Sequence, residues 1–574
     1  MNLGHIGDDE IRIVELHPAS QGSALTWETR VVPLASSPEF EALSYVWGSP
    51  LDVVEVPGGS IKITKSLYAA LHRLRLQDET RLLWVDQMCI NQSDIKEKAS
   101  QVQLMRAIYS KCTRCLIWMG QADVSCPLSD AAKAVSFLEY LAALNNADDQ
   151  SSVPVPAFVT SRHEFLAALK ALRTISVQEG PWWRRVWTVQ EAIIPQDQLF
   201  LWGPFTLPWQ TMIDAAWGFI NFYGDVRDVG ETGDMGHLSA QLIWLNSSKD
   251  DGDPPIGITM HWRFRKATDP LDNVYALNGL FSPGEMPRVS NCDYSLSPAR
   301  VFTDFTLDLM TIYGLLPLTF DTYLEDDIAT AGLPRWALDM KSWPKYRTNE
   351  WNRYGGYDIY QANKGLPEAD FSCNAEGTLD IDGYSIDIIK SIGDGHHVEE
   401  WVDEPTVPLL PTLRSWWDLY VSEYINKLSS TAEPDHSTAL RLFHRLVIGD
   451  VVSGSNWEIE RLATDEDVDL VSEFLESRDE ARRPHTTDGM ARNQRFFFTR
   501  TGLMGLGRLD TKPGDEVWVF NQGRTPFVLR PRAHRPGDLP SFDFVGVCYV
   551  QGIMQGELLD GGGSKPVQQR VRIH

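Results

Sequence analysis

Residues 83–92 read Leu-Trp-Val-Asp-Gln-Met-Cys-Ile-Asn-Gln, an apolar run followed directly by a carboxylate, a thiol and amide side chains. Buried strands of parallel sheets have such apolar runs, and open α/β sheets bind ligands at the carboxyl ends of their strands. Asp86, Asn91 and Gln92 therefore stand where short polar side chains can bind ribose hydroxyls or an amide. The same residue types also fit caps of turns and of the following helix, and the sequence leaves both interpretations open.

The chain around this stretch alternates short apolar runs with helical periodicity between residues 11 and 120. Such alternation is typical of strands joined by crossover helices in an α/β fold. A further apolar run follows a helical segment that Pro195 ends. We therefore predict a sheet domain over residues 1–204, with strands at 11–17, 42–46, 53–56, 82–86, 115–119 and 198–202.

Three regions depart from this alternation. Residues 126–180 carry Ala and Leu at helical spacing around a polar, Pro-containing stretch, which predicts a helical insertion in the sheet domain. Residues 205–348 are predicted to be mainly helical. Residues 349–574 combine helical periodicity with short strands and Gly-rich turns, which predicts an α+β region ending in a small β-sheet or barrel.

Composition excludes several classes of protein. Lys plus Arg number 52 and Asp plus Glu number 78, and this formal net charge of −26 disfavours nucleic acid as a partner. The chain lacks the apolar run of about 18 residues that a membrane span needs, and its acidic start is unlike a signal peptide, so we expect a cytoplasmic protein. The seven cysteines are scattered and no zinc-protease or phosphate-loop motif is present, so we expect no metal site and no cofactor.

A second polar cluster follows the insertion, where residues 182–191 read Trp-Trp-Arg-Arg-Val-Trp-Thr-Val-Gln-Glu. Trp187 and Glu191 are one helical turn apart and therefore share a helix face. A carboxylate beside an indole in a partly dry pocket has a raised pKa, and it can act as acid, base or stabiliser of a positively charged sugar. The alternative is an exposed glutamate paired with Arg184 or Arg185.

Together, four segments of the chain resemble the fungal heterokaryon incompatibility (HET) domain: Ala42–Gly48, Leu83–Gln92, Gln101–Tyr109 and Trp182–Glu191. The similarity continues through Ala267–Leu277, Leu333–Trp336, Gly514–Val517 and Tyr549–Glu557, and so spans nearly the whole chain. This chain departs from the family pattern at Leu271, Asn278, Arg335, Gln551 and Gln555.

The resemblance implies a fold and a site. HET proteins act in fungal non-self recognition and programmed cell death, and the HET domain is similar to the flavodoxin-like TIR fold, several members of which cleave NAD. Glu191 falls on the catalytic glutamate of TIR enzymes, with Trp187 on its helix and Asp86 after the second strand as further catalytic residues. NAD is then the expected substrate rather than a cofactor. The expected substrate-binding residues are Tyr45, Trp47, Gly48, Asn91 and Gln92.

Two other functions stay open alongside an NAD glycohydrolase. The HET domain can be a non-catalytic signalling module that binds partner proteins or further copies of itself, and the length of residues 205–574 beyond a small hydrolase favours this. The fold can also serve an enzyme that acts on a small apolar metabolite in secondary metabolism, since 20 tryptophans permit an aromatic pocket.

Overall fold

A computed structural model describes residues 6–574 except 21–22, 37, 50, 56–61, 177–179, 224–232, 321–329, 342–358, 368–369, 398–407, 426–435, 454–458, 485–486, 488–489 and 558–566. The chain divides into two compact units, Met1–Ser297 and Pro298–His574. In the described residues, none of the helices combines the length and the hydropathy that a membrane span requires.

The first unit is built on a seven-stranded sheet, with a separate two-stranded hairpin. Its strands, in chain order, are β1 (Glu10–Leu16), β2 (Trp27–Pro33), β3 (Glu41–Ser44), β4 (Val53–Glu55), β5 (Lys62–Thr64), β6 (Arg81–Trp84), β7 (Arg114–Trp118), β8 (Gln198–Trp202) and β9 (Phe205–Pro208). β4 and β5 form the hairpin, and Val56, the last residue of the predicted strand 53–56, lies outside the described residues.

The sheet has the strand order β2-β1-β6-β3-β7-β8-β9. The four central strands run parallel, and the outer strands β1, β2 and β9 pair antiparallel. The chain leaves β3 for β6 on one side and later reaches β7 on the other side, so the strand order reverses at β3. The carboxyl ends of β3 and β6, which precede Tyr45 and Asp86, therefore lie at one edge of the sheet.

Helices complete the first unit, and the α/β class predicted from the sequence is confirmed. They are α1 (Lys65–Leu74), α2 (Asp86–Cys89), α3 (Ile95–Lys111), α4 (Ala122–Ser125), α5 (Leu128–Asn146), α6 (Arg162–Arg173), α7 (Trp187–Ile193), α8 (Trp209–Tyr223), α9 (Gly233–Ser247), α10 (Pro255–Trp262) and α11 (Asp272–Asn278). Trp84 on β6 and Ile117 on β7 are fully buried, as expected for parallel strands covered on both faces.

Two predicted boundaries differ from the structure. The predicted domain end at residue 204 falls in the turn between β8 and β9, which pair through Trp202 and Phe205, so β9 belongs to the same sheet. The region 205–348 is divided between the two units after Ser297. Its described part is mainly helical, and the predicted insertion at 126–180 contains helices α5 and α6.

The second unit combines four α-helices with mostly antiparallel strands in its described residues. The helices are α12 (Pro298–Tyr313), α13 (Leu410–Tyr420), α14 (His436–Val447) and α15 (Asp465–Ser477). The strands are β10 (Ser372–Cys373), β11 (Leu379–Gly395), β12 (Val451–Ser453), β13 (Ile459–Leu462), β14 (Gln494–Thr499), β15 (Met504–Arg508), β16 (Glu516–Phe520), β17 (Phe527–Pro531), β18 (Ser541–Val547), β19 (Tyr549–Val550) and β20 (Gln568–Ile573).

Five of these strands close into a ring. β11 pairs with both β16 and β20, and the order β16-β17-β18-β20 joins the other ends, so the circuit has no open edge. Large apolar side chains from all five strands form one buried cluster, including Ile381, Trp518, Phe527, Phe544 and Val571. The predicted β-rich end of the chain is thus a filled barrel.

Candidate functional site

Glu191 lies on α7 and reaches the carboxyl end of β3. The hydroxyl of Ser44, the last residue of β3, donates a hydrogen bond to Oε2 of Glu191. The indole Nε1 of Trp182 donates to the same hydroxyl oxygen over 2.8 Å. The Glu191 side chain is only 4% exposed, so the alternative prediction of an exposed helix glutamate is wrong.

The environment of Glu191 raises the pKa of its carboxyl group to about 7, mainly through desolvation by burial. The positive charge of Arg185 and the Ser44 hydrogen bond oppose this rise, whereas the negative charge of Asp86 adds to it. Tyr109 on α3 and Cys115 on β7 also interact electrostatically with Glu191. Near neutral pH, the carboxyl group is therefore present in both its neutral and its ionised form.

Arg185 supplies the positive charge of the site. Its guanidinium donates a hydrogen bond to the main-chain carbonyl of Tyr45, directly after β3. The same charge acts on the carboxyl groups of both Asp86 and Glu191 and opposes the rise in pKa that burial causes in each. One positively charged side chain thus favours the ionised form of two carboxyl groups. Sequence reasoning named Arg185 only as a surface partner of an exposed glutamate, because spacing within a helix does not show which main-chain carbonyl a side chain reaches.

Asp86 begins α2, directly after β6, and is brought together with two of the predicted binding residues. The indole Nε1 of Trp47 donates to Oδ2 of Asp86 over 2.7 Å, and the backbone N–H of Gln87 donates to Oδ1 over 2.7 Å. The hydroxyl of Tyr45 donates to Oε1 of Gln87 over 3.2 Å. Burial raises the pKa of the Asp86 carboxyl group, against the effect of Arg185.

Gly48 follows Trp47 in the loop after β3 and is exposed. Its φ of +78° lies in the left-handed region, although a Cβ at this position would meet no atom within 4 Å. The requirement for glycine here is therefore conformational rather than steric crowding. Gly48 thus allows a turn directly after Trp47, the residue whose indole donates a hydrogen bond to Asp86.

Asn91 and Gln92 are occupied differently from Asp86. The side-chain oxygen of Asn91 accepts hydrogen bonds from the backbone N–H of Ser93 over 3.3 Å and from its hydroxyl over 2.7 Å, which is a capped turn. Gln92 is exposed, and its side-chain amide lies 3.4 Å from the main-chain oxygen of Asp86. The capping interpretation thus applies to the Asn91 oxygen, and substrate binding by these two residues stays a prediction.

Trp187 is tied to a residue that sequence reasoning missed as a site residue. Its side chain interacts with the buried Asp272 on α11 and favours the ionised form of that carboxyl group, whose Oδ1 also accepts a hydrogen bond from the hydroxyl of Tyr294 over 2.6 Å. Asp272 lies in the 267–277 segment quoted above, but local spacing does not show that it packs against α7. Within the described residues, no group of three His, Cys, Asp or Glu side chains is placed to hold a metal ion.

Comparisons with known proteins identify the domain that carries the site. Residues 40–191 match the family model for the heterokaryon incompatibility protein (HET), and residues 463–565 match the Het-6 beta-barrel domain. The chain therefore carries a domain that matches the HET family. The HET match contains the site from Ser44 to Glu191, and the predicted resemblance is confirmed.

The chain is also similar along its length to a curated relative, heterokaryon incompatibility protein 6, OR allele, of Neurospora crassa. The two sequences are 25% identical over an alignment of 658 positions, which covers 96% of this chain and 94% of the relative. No solved structure matches the chain.

Proposed function

We propose that this HET-domain protein acts in heterokaryon incompatibility by hydrolysing NAD at the bond between nicotinamide and ribose. The observation that carries the proposal is Glu191, a buried carboxyl group with a pKa of about 7 beside the end of the strand where the sheet order reverses. Perturbed acids at the carboxyl ends of parallel strands are typical of active sites in α/β enzymes.

The topology of the parallel strands supports the proposed relationship to TIR domains. Numbered by their order in the chain, β3, β6, β7 and β8 are arranged 2-1-3-4 across the sheet. Flavodoxin-like sheets begin with this order and bind their ligand at the switch point. In this chain, that point is the end of β3, where Ser44 contacts Glu191.

In the proposed reaction, the bond between C1′ of the ribose and the nicotinamide nitrogen breaks, and its electron pair leaves with nicotinamide. The remaining ribosyl group carries positive charge, and the ionised Glu191 carboxylate stabilises it electrostatically. Water then adds to C1′ and loses a proton, which gives ADP-ribose. Asp86, oriented by Trp47, orients the ribose hydroxyls, and the positive charge of Arg185 favours the ionised form of both acids.

Nicotinamide release from NAD tests the proposal. The full chain, Glu191→Gln and the control Glu139→Gln are compared over a wide range of protein concentration, because assembly can be required for activity. Glu139 is an exposed glutamate on α5 in the same unit. We expect release by wild type and control, and a loss of about 10²- to 10³-fold in Glu191→Gln. Absence of release at every concentration, or full activity of Glu191→Gln, contradicts the proposal.

A second candidate function is a non-catalytic signalling module that binds partner proteins or further copies of the chain. The observation that favours it is that Glu191 is only 4% exposed. A buried carboxyl group that is hydrogen-bonded to Ser44 can have a purely structural role, which is to hold α7 against β3. A Glu191→Gln variant that folds and still triggers incompatibility in fungal cells selects this function over NAD hydrolysis.

A further inference from the structure

The main chain just before α7 forms hydrogen bonds with the main chain of Lys266, about 80 positions later in the sequence. The backbone N–H of Val186 donates to the carbonyl of Lys266 over 3.0 Å, and the N–H of Lys266 donates to the carbonyl of Arg184 over 2.5 Å. These bonds form a parallel bridge between Arg185 and Lys266. The start of the helix that carries Glu191 therefore depends on residues outside the matched range 40–191.

The side chain of Arg265 extends this joint into α7. Its Nη1 donates to the hydroxyl oxygen of Thr188 over 2.8 Å, and its Nη2 lies 3.2 Å from the side-chain oxygen of Gln241 on α9. The Thr188 hydroxyl in turn lies 2.7 Å from the main-chain carbonyl of Arg185. A chain of hydrogen bonds thus runs from Arg265 to the backbone of Arg185, whose positive charge acts on Glu191.

The charge of Arg265 is unusual for a buried group. Arg265 is 6% exposed, and within the described residues it forms no ion pair, only hydrogen bonds to neutral oxygens and a contact at 4.8 Å with the ring of Trp262. Burial lowers the pKa of its guanidinium to about 9. A buried cation without an anion is unfavourable for stability, so a role in placing its hydrogen-bond partners explains its presence better than stabilisation does.

Helix α11 also packs against α7. The carboxyl group of Asp272 interacts with the side chain of Trp187 on α7 and accepts a hydrogen bond from the Tyr294 hydroxyl. A Cβ added to Gly279 would lie 1.6 Å from Oε1 of Gln190, so the backbone after α11 lies directly against the side chain of this α7 residue. Residues 263–294, called the brace below, therefore contact α7 at its start and along its length.

We infer that the brace sets the position of α7, and that Arg265 is a positioning residue that fixes the backbone of Arg185 through Thr188 and so keeps the positive charge of Arg185 near Glu191. The expected effect on catalysis rests on the proposed function. The expected effect on the ionisation of Glu191 does not depend on that function. When the Thr188 hydroxyl is lost, the backbone of Arg185 loses an anchor and its guanidinium retreats from Glu191. The carboxylate then loses part of its compensating charge.

Two variants of Thr188 separate positioning from packing. Thr188→Val keeps the shape of the side chain and removes the acceptor of Arg265, whereas Thr188→Ser keeps the hydroxyl. Thr174→Val is the matched control, because the Thr174 hydroxyl bonds only a carbonyl of its own helical turn, 2.7 Å away. Each variant is made with Glu191 and with Glu191→Gln, and the pH dependence of the difference in stability reports the pKa of Glu191.

We expect Thr188→Val and Arg265→Gln to raise the pKa of Glu191, and Thr188→Ser and Thr174→Val to leave it unchanged. With NAD, Thr188→Val is expected to lower kcat by about tenfold or more with little change in KM, because misplacement of a charged group affects the chemical step. A loss of stability in Thr188→Val with an unshifted Glu191 titration overturns the inference. A shifted titration in a chain that releases no nicotinamide supports the brace and refutes only the proposed NAD hydrolysis.

Discussion

The carboxylate of Glu191 accepts a hydrogen bond from the hydroxyl of Ser44, a residue 147 positions earlier in the chain. This bond joins α7 to the end of β3, and the Trp182 indole donates to the same hydroxyl from the other side. The Ser44 hydroxyl, the Glu191 carboxylate and the Trp182 indole N–H therefore all form hydrogen bonds although the three residues are almost fully buried. Loss of any one of them leaves another without its partner.

Ser44→Ala is expected to lower the free energy of unfolding by about 1–3 kcal/mol, because it leaves the Trp182 indole and the Glu191 carboxylate each without one hydrogen-bond partner. It is also expected to raise the pKa of Glu191, since the lost hydrogen bond favours the ionised form. Chemical denaturation at several pH values measures both effects. Ser136→Ala, at an exposed position of α5, is the control and should change neither.

The stability of the first unit should fall as pH rises through the titration of Glu191. In the unfolded chain its pKa is near 4.5 and in the folded chain about 7, so the folded state binds the extra proton between these values. The contribution of protonated Glu191 is complete below pH 4.5 and is lost by about pH 7, and a difference of about 2.5 pKa units corresponds to roughly 3 kcal/mol.

Denaturation of wild type and Glu191→Gln between pH 4.5 and pH 8 checks this, because the glutamine variant lacks the titration. The difference between the two proteins should grow as pH rises. If NAD hydrolysis is the function, kcat/KM should rise over the same interval, since the ionised carboxylate stabilises the ribosyl cation. A difference in stability that does not vary with pH contradicts the raised pKa of Glu191.

Local patterns were enough to predict much of this site. The stretch 83–92, an apolar run followed by polar residues, predicted the strand end that carries Asp86. The spacing of Trp187 and Glu191 predicted their shared helix. Both are signals of short range, in which side-chain periodicity reports which face is buried. The α/β class follows from the same periodicity, repeated along residues 11–120.

Long-range partners were not predictable in the same way. Arg185 reaches the carbonyl of Tyr45, and Asp272 reaches Trp187, only because the tertiary fold places distant segments side by side. The strand β9, just beyond the predicted end of the sheet domain, was not predicted for a related reason. The short strand β9 has little apolar pattern of its own, and it is a strand because β8 supplies its hydrogen bonds.

A buried ion pair beneath the loop 86–92 gives a third prediction. Arg12 on β1 binds Glu97 on α3 through Nη1 and Nη2 of its guanidinium group and donates to the carbonyl of Cys89 over 2.9 Å, while Glu97 accepts from the backbone N–H of Asn91 over 2.7 Å. The Arg12 and Glu97 side chains are 1% and 9% exposed. Removal of one charge leaves the other buried and unpaired, so Glu97→Gln should lower stability by about 3–5 kcal/mol.

Hydrogen exchange of the Asn91 amide, together with chemical denaturation, measures the effect of Glu97→Gln. The exchange should be faster than in wild type, because the amide loses its charged acceptor. Asp52→Asn breaks the exposed pair of Lys65 and Asp52 and is the control, with an expected change of at most about 1 kcal/mol. Equal changes in stability for the two variants would show that the buried pair does not hold the loop.

Asn91 gives a fourth prediction, because its side-chain oxygen already accepts two hydrogen bonds from Ser93. Serine at position 91 can still cap the turn, whereas alanine cannot, so Asn91→Ala should lower stability by about 1 kcal/mol and Asn91→Ser by less. If capping is the whole role of Asn91, the KM for NAD stays unchanged in Asn91→Ser. A severalfold rise in KM at unchanged stability would instead show that the side-chain amide donates to the substrate, as predicted from its position after the strand.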